Sequence, residues 1–521
     1  MSFAATALPG GRSLGRIMTS VAPASLAVQV CSFASSIALA RVLGASAGTD
    51  AYYLGLAVPA LSYGILMGAL QLGAIPALTD VAATSGDEGL GRAAGELFCG
   101  VLAASAVLTV VVTGLVELVL PLFVAGDVLH LTRLTLVELA PYAVFGAATG
   151  VLSAVMAVRG VFVPAVAVVA IEPIVKTALT FSLGHTIGIQ SLIAGNLIGG
   201  VLAVLILWRF VHGQGISLRL DRHFASPFVR KTARLSVPLL VSTSVLVVNP
   251  LIDRSMATRF GAGSITALEL GLRLFMVPAG LMAGLLIAPI AATWASRKAI
   301  GGWSALRQSM SRALDGAAAV VPPLVVLGIV LRVQLVELVF RGGAYSESAL
   351  RETTSVFGMI LLCLPAQMLI VLFSSLFIVQ KEMIFPMKIA FANVGLNLGL
   401  NFGLGAIFGL PGIALSTSLT YTLLLLVFAV GAYRRWGVFY DGNVGRVVMR
   451  VVASVTITAA ATVLMISVLP TASSRPTALL VVVVAGAIGL FLHSMVLVVG
   501  RDPFALGAVT KVRRLALLEG R

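Results

Sequence analysis

Glu269 and Arg273 stand four residues apart in an apolar run, shortly after the doublet Asp253-Arg254. On a helix that spacing places both side chains on one face. An arginine held there presents a planar fork that can bond two phosphate oxygens at once. The competing reading is a local Glu–Arg pair that only makes an awkward helix tolerable. A charge near the bilayer centre costs roughly 2.5–3.5 kcal/mol on insertion scales, so either reading has to justify it. Glu172 and Lys176 repeat the four-residue spacing around Pro173. They read as a kinked helix with a self-neutralised pair, or as part of a transport path. Asp50 opens another apolar run, where the exposed N–H groups of a helix start stabilise an acid. Asn393, Asn397 and Asn401 form a polar stripe at helical spacing, whose default role is hydrogen bonding between helices. Arg273 is the leading anion anchor, with Arg41, Arg254 and Lys176 as weaker ones.

No group suited to catalysis is apparent. There is no phosphate-binding loop of Walker type and no metal-ligating helix motif, and the five histidines are not spaced as ligands. The expectation is a non-enzymatic protein without a cofactor or a metal. Coupling to the membrane potential or to a monovalent ion is left open.

Hydrophobic residues make up 59% of the chain and charged residues 11%. Apolar runs of 18 or more residues follow one another almost without pause, which reads as membrane-spanning helices rather than the short alternating segments of a barrel. Fourteen spans are expected, at 17–40, 50–79, 92–122, 133–158, 161–184, 188–212, 233–257, 266–296, 310–331, 348–379, 383–408, 411–433, 445–470 and 476–500. The net charge of +15 does not point to nucleic acid, because the basic residues lie mostly between spans. With both termini inside, cytoplasmic segments and helix ends hold 25 Lys and Arg against 8 outside, with Lys176 and Arg273 within spans. That asymmetry is the positive-inside pattern of a multi-pass protein of a bacterial inner membrane. The four tryptophans fall at or near cytoplasmic helix ends, where an indole is well placed. Cys31, Cys99 and Cys363 read as small hydrophobes inside apolar runs.

The first half of the chain returns in the second. Ser20-Val21-Ala22-Pro23 recurs as Ser236-Val237-Pro238. Leu115-Val116-Glu117-Leu118-Val119 recurs unchanged as Leu335-Val336-Glu337-Leu338-Val339. Pro164 recurs as Pro386, and Gly188-Ile189 as Gly412-Ile413. The expected organisation is an N-tail (1–16), a six-helix lobe (17–212), a basic interlobe loop (213–232) and a second six-helix lobe (233–434). A further helix pair (435–500) and a basic tail (501–521) follow. An even number of spans per lobe preserves orientation, so the repeats would be related by an axis along the membrane normal, as in transporters with a site between lobes.

Several of these segments resemble the MurJ/MviN family of lipid II flippases, in the multidrug/oligosaccharidyl-lipid/polysaccharide exporter superfamily. They are Ala40-Arg41-Val42-Leu43-Gly44-Ala45 with Thr49-Asp50-Ala51-Tyr52-Tyr53, and Asp253-Arg254 with Gly263-Ser264-Ile265-Thr266. The others are Arg273-Leu274 with Pro278-Ala279-Gly280, Gly342-Gly343-Ala344-Tyr345-Ser346, and Phe385-Pro386-Met387-Lys388 with Asn393, Asn397 and Gly412-Ile413. The resemblance covers most of residues 17–435. It implies an all-α polytopic membrane protein, with two pseudo-symmetric six-helix lobes in a V and two C-terminal helices that hold a polyprenyl tail. The implied activity is movement of lipid II, a polyprenyl-diphosphate-linked glycan, from the cytoplasmic to the outer leaflet by alternating access. Cell-wall synthesis proteins would be further partners. Where the family carries cations along its first two spans, this chain has Gln29, Ser35, Ser36 and Tyr63, and Leu272 and Met276 replace acids beside Arg273. Three rival readings stand beside lipid II: another undecaprenyl-linked envelope glycan, a non-transporting scaffold, and a cation-coupled drug exporter.

Overall fold

A computed structural model of the chain describes residues 14–69, 73–122, 124, 126–220, 226, 228–230, 232, 248–282, 290–469 and 475–500. Regular structure among these residues is helical, apart from an isolated bridge between Gly342 and Tyr345. Twelve candidate spans among them are long and apolar enough to cross a membrane, which makes the chain an all-α polytopic membrane protein. Large apolar side chains such as Leu118, 77% exposed, cover much of the surface, and hydrocarbon is the solvent that accommodates them.

Two of the fourteen expected spans are not among the twelve. The second, 50–79, includes residues 70–72, which lie outside the described residues. On either side of them, helix α2 runs Ala47–Ala69, and α3 (Ile75–Val119) has Pro76 in its first turn, where a missing N–H is no loss. The seventh, 233–257, falls mainly outside the described residues, although 248–257 are helical.

The chain forms two compact units. The first comprises Met1–Thr266 with Gly342–Ser346. It contains α1 (Leu14–Leu43), α2, α3, α4 (Gly126–Val158), α5 (Val163–Ala167), α6 (Ile171–Ile187) and α7 (Gln190–Gly213). α5 and α6 are joined through a 3-10 turn at Val168–Ala170 and together form one candidate span. The turn has a local cause: Pro173 cannot donate to the carbonyl four residues back and its ring crowds it. α2 packs on α4, α4 on α3 and α7, and α6 on α7 and α1. Residues 217 and 219 of the basic loop run against Gly91 and Gly95, where a Cβ would lie 2.3 Å and 2.0 Å from the carbonyl oxygens of Ser217 and Arg219.

The second unit comprises Ala267–Arg341 and Glu347–Arg521. Most of α8 (Ser264–Met282) falls here, with α9 (Ile290–Val330), α10 (Arg332–Phe340), α11 (Glu347–Leu361), α12 (Cys363–Val379), α13 (Ile384–Phe408) and α14 (Leu410–Trp436). The appended pair, α15 (Val444–Val468) and α16 (Arg475–Val499), packs on itself, with α15 also on α9 and α16 on α10. Asn443 caps α15 by accepting the N–H of Arg446 at 3.0 Å. Ser454, Thr458 and Thr462 form a buried stripe on α15, and His493 Nε2 of α16 lies 2.8 Å from the carbonyl of Ala319. Trp294 is buried.

The internal repeat is visible in the backbone. α3 breaks at Gly86 (φ 63°, ψ −158°) and α9 at Gly302 (φ 62°, ψ −149°), a left-handed conformation that favours glycine. The same shift along the chain carries Ser20 onto Ser236. α6 ends on Gly188 (φ 59°) and α13 on Gly409 (φ 67°). The structural partner of Gly188 is therefore Gly409, not the Gly412 suggested by the sequence match, because the left-handed residue marks where the helix stops.

Candidate functional site

The sequence-predicted residues resolve into four polar places. The first is on α8. Glu269 is buried, at 6% exposure, while Arg273 one turn later is exposed. The i,i+4 spacing therefore does not bring the two into a common environment. Leu270 and Leu274 beside them are buried. Asp253 and Arg254 are half-buried in the helical stretch 248–257. An exposed guanidinium on an apolar helix can take an anion's oxygens as a two-pronged donor.

The second place holds Glu172 and Lys176. Lys176 Nζ donates to Glu172 Oε1 at 3.1 Å, to Asn196 Oδ1 at 3.2 Å and, more weakly, to the Tyr52 hydroxyl at 3.5 Å. Asn196 Nδ2 donates to the same Tyr52 oxygen at 2.7 Å, and the Tyr142 hydroxyl donates to Glu172 Oε2 at 2.7 Å. Four helices, α2, α4, α6 and α7, thus meet in one hydrogen-bonded cluster. Gly195 and Gly199 of α7 make it reachable: a Cβ on either would come within 2.6 Å of the Cα of Lys176 or of Glu172. Three of the cluster's members, Tyr52, Tyr142 and Asn196, were not singled out from the sequence. The glycine spacing around Asn196 was the one available signal.

The third place is Asp50. Its carboxylate does not cap its own helix but the start of α8. Oδ2 accepts the N–H of Gly263 at 2.6 Å, and Oδ1 accepts the N–H and hydroxyl of Thr266 at 2.8 Å and 2.7 Å. Thr49 and Thr266 hydroxyls lie 2.9 Å apart. Next to this junction, the carbonyl of Arg41 accepts the N–H of Ala344 at 2.8 Å. Gly343 (φ 66°) is fitted so closely that a Cβ would lie 2.0 Å from the Arg41 oxygen, so both backbone angle and space require glycine there. Three of the sequence segments that carry the family resemblance, around Arg41–Asp50, Gly263–Thr266 and Gly342–Ser346, therefore come together.

The fourth place is the asparagine stripe. Asn401 Nδ2 donates to Asn397 Oδ1 at 3.1 Å, Asn397 Nδ2 donates to the Thr417 hydroxyl at 3.4 Å, and the Ser416 hydroxyl donates to Asn401 Oδ1. These bonds join α13 to α14. The shift that carries Gly188 onto Gly409 also carries Lys176 and Asn196 onto Asn397 and Thr417. The charged cluster of the first unit and the neutral one of the second are thus corresponding places in the repeat.

Comparisons with known proteins identify relatives of this chain. The family model described as lipid II flippase MurJ matches residues 39–484. A probable lipid II flippase MurJ of Rhizobium tropici is 23% identical over 455 residues, 83% of this chain and 84% of that protein. One of Thermotoga maritima is 26% identical over 228 residues, 44% of this chain and 46% of that protein. Among solved structures, a lipid II flippase MurJ in an inward closed conformation superposes with TM-score 0.74 at 16% identity, covering 93% of this chain and 99% of that one. An inward-facing multidrug resistance transporter of the MATE family in the MOP superfamily superposes with TM-score 0.65 at 14% identity, covering 78% and 94%.

Proposed function

We propose, for a chain that belongs to the lipid II flippase MurJ family, that it carries a polyprenyl-diphosphate-linked saccharide, lipid II first, from the cytoplasmic to the outer leaflet by alternating access. The family is one of membrane transporters, not of enzymes. The observation that carries the reading is Arg273, an exposed cation on the apolar helix α8, in a segment that resembles the family's cavity arginine. Its fork suits a diphosphate. Arg41 and Arg254 are secondary anchors. Lys176 is a weaker one, since its donors face Glu172, Asn196 and Tyr52.

Arg273→Ala should abolish complementation at normal protein abundance, and Arg273→Lys should keep part of it, because charge remains while the two-pronged bond is lost. Glu269→Gln with Arg273→Gln should stay inactive. Recovery in that double variant would mean that Arg273 serves only to neutralise Glu269.

Fourteen spans in two six-helix lobes plus α15–α16 are part of the same reading, with both termini cytoplasmic. The appended pair is assigned to the polyprenyl tail, since it lies outside the repeat. Exclusive labelling of the first six spans by a polyprenyl photo-probe would count against that assignment. A second reading, another undecaprenyl-linked glycan, is favoured by Ser35 and Ser36. Both are buried, with the Ser36 hydroxyl donating to the Ser32 carbonyl, where the family resemblance leads one to expect cations.

A further inference from the structure

Residues 307, 311, 315 and 319 of α9 recur at every fourth position and so share one face of the helix. All four bond to the chain that follows α14. Arg307 pairs with Asp441 at 2.6 Å, the Ser311 hydroxyl accepts the N–H of Asp441 at 2.9 Å, and the Tyr440 hydroxyl donates to Asp315 Oδ1 at 2.6 Å. One turn further along α9, the carbonyl of Ala319 lies 2.8 Å from His493 Nε2 of α16. A carbonyl can only accept, so the imidazole carries its proton on Nε2 and donates it.

The sequence says why this carbonyl takes a side-chain donor. Inside a helix the oxygen of Ala319 would accept the N–H of residue 323, or of residue 322 in a tighter turn. Those residues are Pro323 and Pro322, and neither has an N–H. Ala319 and His493 are both buried and both lie in candidate membrane spans. A carbonyl orphaned in hydrocarbon has no water to turn to, so a neighbouring helix has to supply the donor. Gly489, one turn before His493, lets α16 come close enough. A Cβ there would meet Leu327 Cδ2 of α9 at 2.7 Å and Thr462 Oγ1 of α15 at 2.8 Å.

The repeat isolates the feature. The shift that relates Gly86 to Gly302 places Ala106 and Val107 of α3 where Pro322 and Pro323 stand in α9. The corresponding carbonyl, that of Ala103, keeps a donor in its own helix. The proline pair is thus absent from the half of the repeat that no appended helices follow. We infer that His493 is the positioning residue of the appended pair. It supplies the donor that Pro322 and Pro323 deny to Ala319, and so fixes α16, and α15 with it, at one place on α9. The consequence for transport rests on the assignment of α15–α16 to the polyprenyl tail: a groove there keeps its shape only while α16 stays on α9.

The test is a double-mutant cycle in the full-length protein in nanodiscs, read by melting midpoint and by labelling of α15–α16 with a polyprenyl-phosphate photo-probe. His493→Leu should lower the midpoint and weaken the labelling. His493→Gln should keep most of both, because the glutamine amide reaches about as far as Nε2 and also donates. Pro323→Ala returns an N–H to Ala319, so His493→Leu should cost little or nothing in that background, a coupling that independent sites would not show. If His493→Leu alone fails to accumulate, recovery of folded protein in the double variant makes the same test. Equal losses from His493→Leu in the two backgrounds would overturn the inference. So would a loss in His493→Gln as large as that in His493→Leu, or labelling unchanged by His493→Leu in a chain that the probe does label. Coupled midpoints with no labelling of α15–α16 even in the native chain would uphold the role of His493 and remove the tail assignment alone.

Discussion

Asp50 Oδ1 accepts the backbone N–H of Thr266 at 2.8 Å, across 216 residues of sequence. The same shift relates Gly86 to Gly302 and Ser20 to Ser236, so Asp50 and Thr266 occupy corresponding positions of the repeat and bond to each other. The acid supplies, from one helix start, the cap that another helix start lacks.

This junction predicts an order of stabilities. Replacing a helix cap by alanine costs about 0.5–2 kcal/mol, and an unsatisfied buried N–H about 1–3 kcal/mol. Asp50→Ala should lower the melting midpoint in detergent most, Asp50→Asn less, since one acceptor oxygen remains, and Thr266→Val least, since the backbone bond survives. An unchanged midpoint in Asp50→Asn with transport lost would show instead that the carboxylate acts on the substrate.

The Glu172–Lys176 cluster predicts strong coupling. Lys176→Met leaves a carboxylate inside a membrane span with only the Tyr142 hydroxyl, and breaking such a pair costs roughly 3–5 kcal/mol when it is buried. Both side chains keep some exposure, so the loss should fall below that range. The double change Glu172→Gln with Lys176→Met should recover most of the lost midpoint and should transport. A double variant as unstable as the single one would contradict a self-neutralised pair. A stable but inactive one would place the pair in the transport path.

Orientation is tested at two serines. In the proposed orientation, which rests on the 25-to-8 distribution of Lys and Arg, Ser217 lies in a cytoplasmic loop and Ser346 outside. Single-cysteine variants at these positions, made in a background without Cys31, Cys99 and Cys363, should differ in whole cells. Only the cysteine at 346 should react with an impermeant maleimide. Reaction at both, or at 217 alone, would reverse or break the proposed topology.

Much of this architecture was legible in the sequence, for identifiable reasons. Hydropathy runs mark spans, since a bilayer excludes polar segments of that length. The asparagine stripe announced bonds between helices, and they are present. What could not be read was register between helices. Nothing local to Asp50 says that it caps α8, and nothing local to Lys176 names Tyr52 or Asn196 as partners. Glu269 and Arg273 share a helical face by spacing yet differ in burial, which depends on neighbours and not on period.

The central claim concerns what crosses the membrane. In cells that produce this protein, its depletion should cause undecaprenyl-diphosphate-linked disaccharide-pentapeptide to accumulate in the inner leaflet, beyond the reach of an externally added lipid II-cleaving enzyme. Re-expression should restore access, and Arg273→Ala should not. Lipid II that stays fully accessible during depletion, while a different lipid-linked glycan or none accumulates, would contradict the account.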